Sequence, residues 1–241
     1  SMKVSYRAKK LPLNKLLTII EEIYTVRFIR DTTELKAELT HNPLSDSRHL
    51  HEQTEAALGS SFPQFVYHYL NEKYKNQKLI VQHGIDLVTS VDYHRNSDIS
   101  VNTFSTFLTE QYDPDDVTFF LFARSIIQKE IDQKTRQTSS ENAKIHPFYQ
   151  ANDTTTTTDR LSHKTLTQKQ CIKIVKSIFG EDQTHLQTQF LTLLDVHFKM
   201  DFSSKTVTVG DFLLVAVNDY HGNRSANSGV EAPRSFLNAR A

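Results

Sequence analysis

Lys164-Thr165-Leu166-Thr167-Gln168-Lys169-Gln170-Cys171-Ile172 and Lys205-Thr206-Val207-Thr208-Val209-Gly210-Asp211-Phe212-Leu213 align without a gap. A looser third copy, Ser97-Asp98-Ile99-Ser100-Val101-Asn102-Thr103-Phe104-Ser105, puts Ile99 in register with Leu166 and Val207. Internal repeats are read first because they set the architecture. In each copy a β-compatible triplet follows a helical stretch and opens another one. The repeating unit is therefore helix, loop with one short extended stretch, helix. Two adjoining loops of this kind must satisfy their backbone N–H and C=O groups, which predicts that Leu166 and Val207 pair across a two-strand contact.

On either side of these copies the apolar spacing is helical. Leu13, Leu16, Leu17, Ile20 and Ile23 predict an amphipathic helix over 13–30, and two further helices are read over Phe62–Tyr74 and Leu79–Val91. Asp113-Pro114-Asp115-Asp116 starts another: Asp113 caps, Pro114 suits the first helical position and the next two acids favour the positive helix end. The run Phe119 to Ile127 has little room for a wet face, so that helix is read as central and buried. Thr167–Phe179, Thr184–Phe198 and Gly210–Tyr220 complete the set. Residues 41–61 mix turn formers with a short helical stretch. Residues 132–163 lose apolar periodicity and carry five consecutive threonines, which reads as a mobile insertion. The expected organisation is an amino-terminal helical region (1–76), helices over 77–131, the insertion (132–163), a helix pair over 164–221 and a flexible tail (222–241). The fold class is all-α.

Composition narrows the function. Among 241 residues, 28 Lys plus Arg balance 28 Asp plus Glu, so no global field gathers nucleic acid or anionic lipid. No stretch approaches the roughly 18 uncharged apolar residues of a spanning helix. With six glycines, the chain contains no phosphate-cradling G-x-x-x-x-G-K-[ST] or G-x-G-x-x-G and no G-x-S-x-G. A single cysteine, Cys171, allows no intrachain disulfide and no multi-cysteine zinc site, which fits a reducing, cytoplasmic setting.

The helix-loop-helix rhythm over roughly residues 77–221 resembles the EF-hand family, in which the aliphatic residue at loop position 8 pairs with its counterpart in a partner loop. The best-matching loop is Asp92-Tyr93-His94-Arg95-Asn96-Ser97-Asp98-Ile99-Ser100-Val101-Asn102-Thr103. It departs from the family at His94 (position 3), at Ser97 where glycine makes the sharp turn, and at Thr103 where a bidentate glutamate closes the oxygen cage. In the last copy Met200, Phe202 and Ser204 fall at positions 1, 3 and 5, leaving Asp211 at position 12; the middle copy has Gln170 there. Calcium affinity is accordingly expected to be very weak or absent; any bound calcium would fall to Asp92, Asn96 and Asp98. The resemblance implies EF-hand-like units working as a non-catalytic interaction or scaffold module. No cofactor is implied, and the implied partner is an amphipathic helix of another protein. Members without ligands resemble structural components of cytoskeletal or ciliary assemblies.

The expected partner surface is an apolar groove drawn from exposed members of Phe104, Phe107, Leu108, Phe212, Leu213 and Val217. Core packing is the competing reading of the same residues. Cys171, which aligns with Phe104 and Phe212, reads as a small core residue rather than a nucleophile. His49, His51 and Glu52 lack a third spaced metal ligand and read as a solvated turn. The rival readings are a calcium sensor and a hydrolase using Cys171 or a His/Asp pair.

Overall fold

The computed structural model describes residues 6–40, 61–145, 161–198 and 206–226, with side chains placed over 6–33, 61–135, 161–198 and 206–223. Among these residues the chain is mostly helical, as the all-α reading expects. The helices are α1 (Leu13–Thr40), α2 (Phe62–Tyr74), α3 (Gln77–His94), α4 (Ile99–Leu108), α5 (Pro114–Ile145), α6 (Gln168–Phe179), α7 (Thr184–Phe198) and α8 (Val209–Ala226). A 3-10 turn at Leu161–His163 and two short strands, β1 (Thr165–Leu166) and β2 (Val207–Thr208), complete the described elements. Two compact units divide between Leu121 and Phe122, within α5.

In the first unit α1 buries Leu16, Ile20, Ile23, Tyr24 and Arg27, the helical spacing read from its sequence. The Tyr24 ring lies 6.2 Å from Phe62, 5.7 Å from Phe104 and 5.4 Å from Phe120, centroid to centroid. Phe107 meets Phe120 edge-on at 5.0 Å. Tilted and edge-on ring pairs of this kind add about 0.5–1.5 kcal/mol each beyond their buried area. Asn76 caps α3 by accepting from the Lys78 and Leu79 amides. Asp98 caps α4 by accepting from Ser100 N (2.9 Å) and Val101 N (3.2 Å). At the start of α5, Asp113 N–H donates to Asp116 Oδ2 and Asp116 N–H donates to Asp113 Oδ1, both at 3.0 Å, with Pro114 in the first helical position.

In the second unit β1 and β2 pair antiparallel, with Thr165 opposite Thr208 and Leu166 opposite Val207, the register expected from the repeat. Val209 N–H extends the pairing by donating to Lys164 O at 2.8 Å. Leu166, Cys171 and Phe212 are all fully buried, and Val207 nearly so. Phe190 of α7 lies between Phe179 (5.7 Å) and Phe212 (5.6 Å), tying α6, α7 and α8 together. Lys173 of α6 reaches Glu130 of α5, with Nζ 2.8 Å from Oε1 and 2.6 Å from Oε2.

Three expectations need correction. The expected insertion over 132–163 is helical as far as Ile145, because α5 continues through Gln, Lys and Glu residues that favour helix without needing an apolar stripe. It also ends in the 3-10 turn, whose Leu161 is buried; the intervening 146–160 lie outside the described residues. The expected tail over 222–241 begins inside α8, which runs to Ala226. Ile99 is the first residue of α4 rather than part of an extended stretch, because Asp98 beside it supplies a complete helix cap. Residues 41–60, with His49, His51 and Glu52, lie outside the described residues.

Candidate functional site: paired loops and a strapped helix

β1 and β2 each lead directly into a helix, and the residues expected at position 12 from the EF-hand resemblance lie at those helix starts. Position 12 of the middle copy, Gln170, instead closes the start of α6: its Oε1 accepts from Thr167 N–H (3.1 Å) and from the Thr167 hydroxyl (2.9 Å). Asp211, position 12 of the last copy, does the same for α8. Its N–H donates to Thr208 Oγ1 (3.1 Å), and the Thr208 hydroxyl donates to Asp211 Oδ2 (2.6 Å). Gln170 thus completes a capping box with Thr167, and Asp211 forms a reciprocal pair with the Thr208 side chain, so each is spent on a helix start. Met200, Phe202 and Ser204 lie outside the described residues.

The loop at 92–103 does not bring Asp92, Asn96 and Asp98 together as ligands. α3 runs to His94 and α4 begins at Ile99, so the connection is too short for a twelve-residue calcium loop. Asp92 is an exposed helical residue 3.3 Å from Arg95, Asn96 is exposed in the turn, and Asp98 is buried at the cap of α4. Among the described residues no group of three His, Cys, Asp or Glu could hold a metal ion.

The expected groove is also corrected. Phe104, Phe107, Phe212 and Val217 are fully buried and Leu213 is 4 % exposed, so these five are core; Leu108 is half-buried. The spacing that suggested a groove rim is the spacing of residues facing the helix-pair interior. Cys171 is buried, as its alignment with Phe104 and Phe212 predicts, and desolvation pushes its thiol up to about 11. A thiol so held is not poised as a nucleophile at neutral pH. Tyr69 and Lys73 on α2 join Glu22 of α1, with Lys73 Nζ donating to both Glu22 oxygens (2.7 and 2.6 Å) and to Tyr69 Oη (2.8 Å). Burial holds the Tyr69 phenol above its ordinary value, which suits a tie between helices rather than a base.

A further arrangement went unread in the sequence. Residues 6–12, outside any helix or strand, run beside α3 and bond to a row of its polar side chains four residues apart. Gln82 Nε2 donates to Arg7 O (3.0 Å), Lys9 N–H donates to Asp86 Oδ1 (2.8 Å) and Leu11 N–H donates to Ser90 Oγ (2.8 Å). His94 Nε2 meets Leu11 O at 3.0 Å, so in this contact that nitrogen carries the proton. Gln82 Nε2 also donates to Asp86 Oδ1 at 2.8 Å, steadying the carboxylate. Lys10 Nζ sits 4.0 Å from the Tyr93 ring centroid. The signal available in the sequence was the polar series Gln82, Asp86, Ser90, His94 on a helix whose other positions include Ile80, Leu87 and Val91.

Comparison of the chain with protein-family models, with curated proteins and with solved structures finds no match. Among the described residues no helix is long and apolar enough to cross a membrane.

Proposed function

We propose that the chain is a non-catalytic protein–protein interaction or scaffold module whose second unit is an EF-hand-like pair that works without calcium. The observation that carries this reading is the antiparallel bridge of Leu166 to Val207, with each strand leading into a helix whose position-12 side chain is spent on a cap. An ion-gated pair needs those oxygens free; a permanently closed pair is a fixed surface. The partner class is another protein offering an amphipathic helix, in an assembly of the cytoskeletal or ciliary kind that the resemblance implies. On α7 the half-buried Leu186 and Leu193 share a face with Val196, which is 71 % exposed, and this stripe is where the partner helix is to be sought.

Melting with millimolar calcium and with chelator tests the reading. Calcium at 100 times its dissociation constant would add about 2.7 kcal/mol to the folded state, a shift of several degrees. The expected shift is none, and a clear rise would make the protein a calcium sensor. Capture of partners from the source cell should be equal in calcium and in chelator. It should be lost in Val196→Asp with an unchanged unfolding midpoint.

A further inference from the structure

The strap of residues 7–11 is held through its main chain. Bonds fall at Arg7, Lys9 and Leu11, every second residue, which is the period of an extended chain, while the receiving side chains fall every fourth residue of α3. The two repeats match in length. Two residues of extended chain advance about 6.6 Å and four residues of helix about 6.0 Å, so an i+4 row can read alternate residues of a peptide lying alongside it. The row is built for this: Asp86 and Ser90 are 6 % and 0 % exposed, although both are polar, and the groups they bond include Lys9 N–H and Leu11 N–H. The occupant contributes little to the core. Arg7, Ala8, Lys9 and Lys10 are exposed and Leu11 is half-buried. A segment that buries little apolar surface of its own and is held by a few hydrogen bonds opens more readily than the helices beneath it.

We propose that Gln82, Asp86, Ser90 and His94 form a docking track for an extended basic peptide of a partner chain, and that residues 7–11 are its resident stand-in. Recognition is by backbone at two N–H and two C=O groups. A basic side chain at the place of Lys10 is selected by the Tyr93 ring, and the Asp86 carboxylate favours a positively charged segment over an acidic one. This inference concerns the first unit alone and does not rest on the EF-hand-like reading of the second.

The test uses the full chain and a labelled peptide of residues 5–13. Lys9→Pro with Leu11→Pro removes both donated N–H groups from the strap, because proline has none. In fluorescence polarisation the double variant should bind the peptide at least tenfold more tightly than the wild-type chain. Adding Asp86→Ala should abolish that binding, and so should N-methylation of the peptide at its Lys9 and Leu11 positions. A double variant with wild-type helical signal that ignores the peptide overturns the proposal, as does equal binding of a scrambled peptide of the same charge. Amide exchange on the wild-type chain provides a second test that needs no substitution. Lys9 and Leu11 should be protected relative to Ala8 and Lys10, yet exchange at least a hundredfold faster than the buried amides of α3. Exchange of Lys9 and Leu11 only on global unfolding would make the strap structural and end the proposal.

Discussion

Arg27 is a cation buried to 2 % exposure on α1, with its Nε 2.9 Å from Asp31 Oδ1 and its Cζ 5.0 Å from the Phe65 ring centroid. The Thr118 hydroxyl donates to Asp31 Oδ2 at 3.3 Å, while Arg27 Nη1 is buried with no hydrogen-bond partner among the described residues. A buried pair loses in desolvation much of what it gains in attraction, so its net worth is small, but breaking it strands a charge. Asp31→Leu should therefore cost about 3–5 kcal/mol, and Arg27→Met combined with Asp31→Leu should restore most of it. Urea unfolding of the two variants beside the wild type decides this, and a double variant as weak as the single one would refute it. Cys171 gives a prediction of opposite character. Burial pushes its thiol up from the ordinary cysteine range to about 11, so the folded state keeps the proton after the unfolded chain has lost it. The associated stability is complete below pH 9 and is lost as pH climbs from there toward 11. The stability advantage of the wild type over Cys171→Ala should thus shrink between pH 8 and pH 10.5, measured by denaturant midpoint.

Where helices begin was legible, because caps are written in side chains. Asp113-Pro114 marks the start of α5 as read, whereas the Thr167/Gln170 box and the Thr208/Asp211 pair that mark α6 and α8 are signals the sequence carries and the apolar spacing passes over. Thr208→Ala should cost about 1 kcal/mol, read from the denaturant midpoint, because it removes both halves of the reciprocal bond. The register of Leu166 with Val207 was legible from the repeat, since two loops leading into helices have few ways to satisfy each other. Ile99 was misread because an aliphatic residue between Asp and Ser suits both a strand and a first helical turn, and the cap at Asp98 decided between them. The extension of α5 to Ile145 was illegible to a reading that relied on apolar periodicity, because residues 132–135 are exposed on all sides. Leu161 shows the cost of reading 132–163 as a simple insertion. At 7 % exposure it anchors the segment that leads into β1, and Leu161→Ala should destabilise by about 2–4 kcal/mol in a urea melt. The strap over 6–12 left little trace in its own side chains beyond Lys10 over Tyr93, because its hydrogen bonds are made by the backbone, and the receiving row on α3 is the stronger signal.

For the whole molecule, the division within α5 implies that stability is not one number. Each unit has its own aromatic centre: Tyr24 with Phe62, Phe104 and Phe120 in one, and Phe190 with Phe179 and Phe212 in the other. Multi-unit chains commonly lose two-state behaviour, so a single melting temperature would average two events. Cys171 supplies a reporter that separates them, because it is buried, belongs to the second unit and can be alkylated only when that unit opens. Phe65 and Phe212 are nearly or fully buried, and removing either ring should cost its own unit about 3–5 kcal/mol. Phe212→Ala should accordingly speed Cys171 alkylation at pH 8 by at least a hundredfold, whereas Phe65→Ala should leave that rate within a few-fold of wild type while lowering the helical signal's first transition. Equal acceleration by both substitutions would show that the two units unfold together as one cooperative structure.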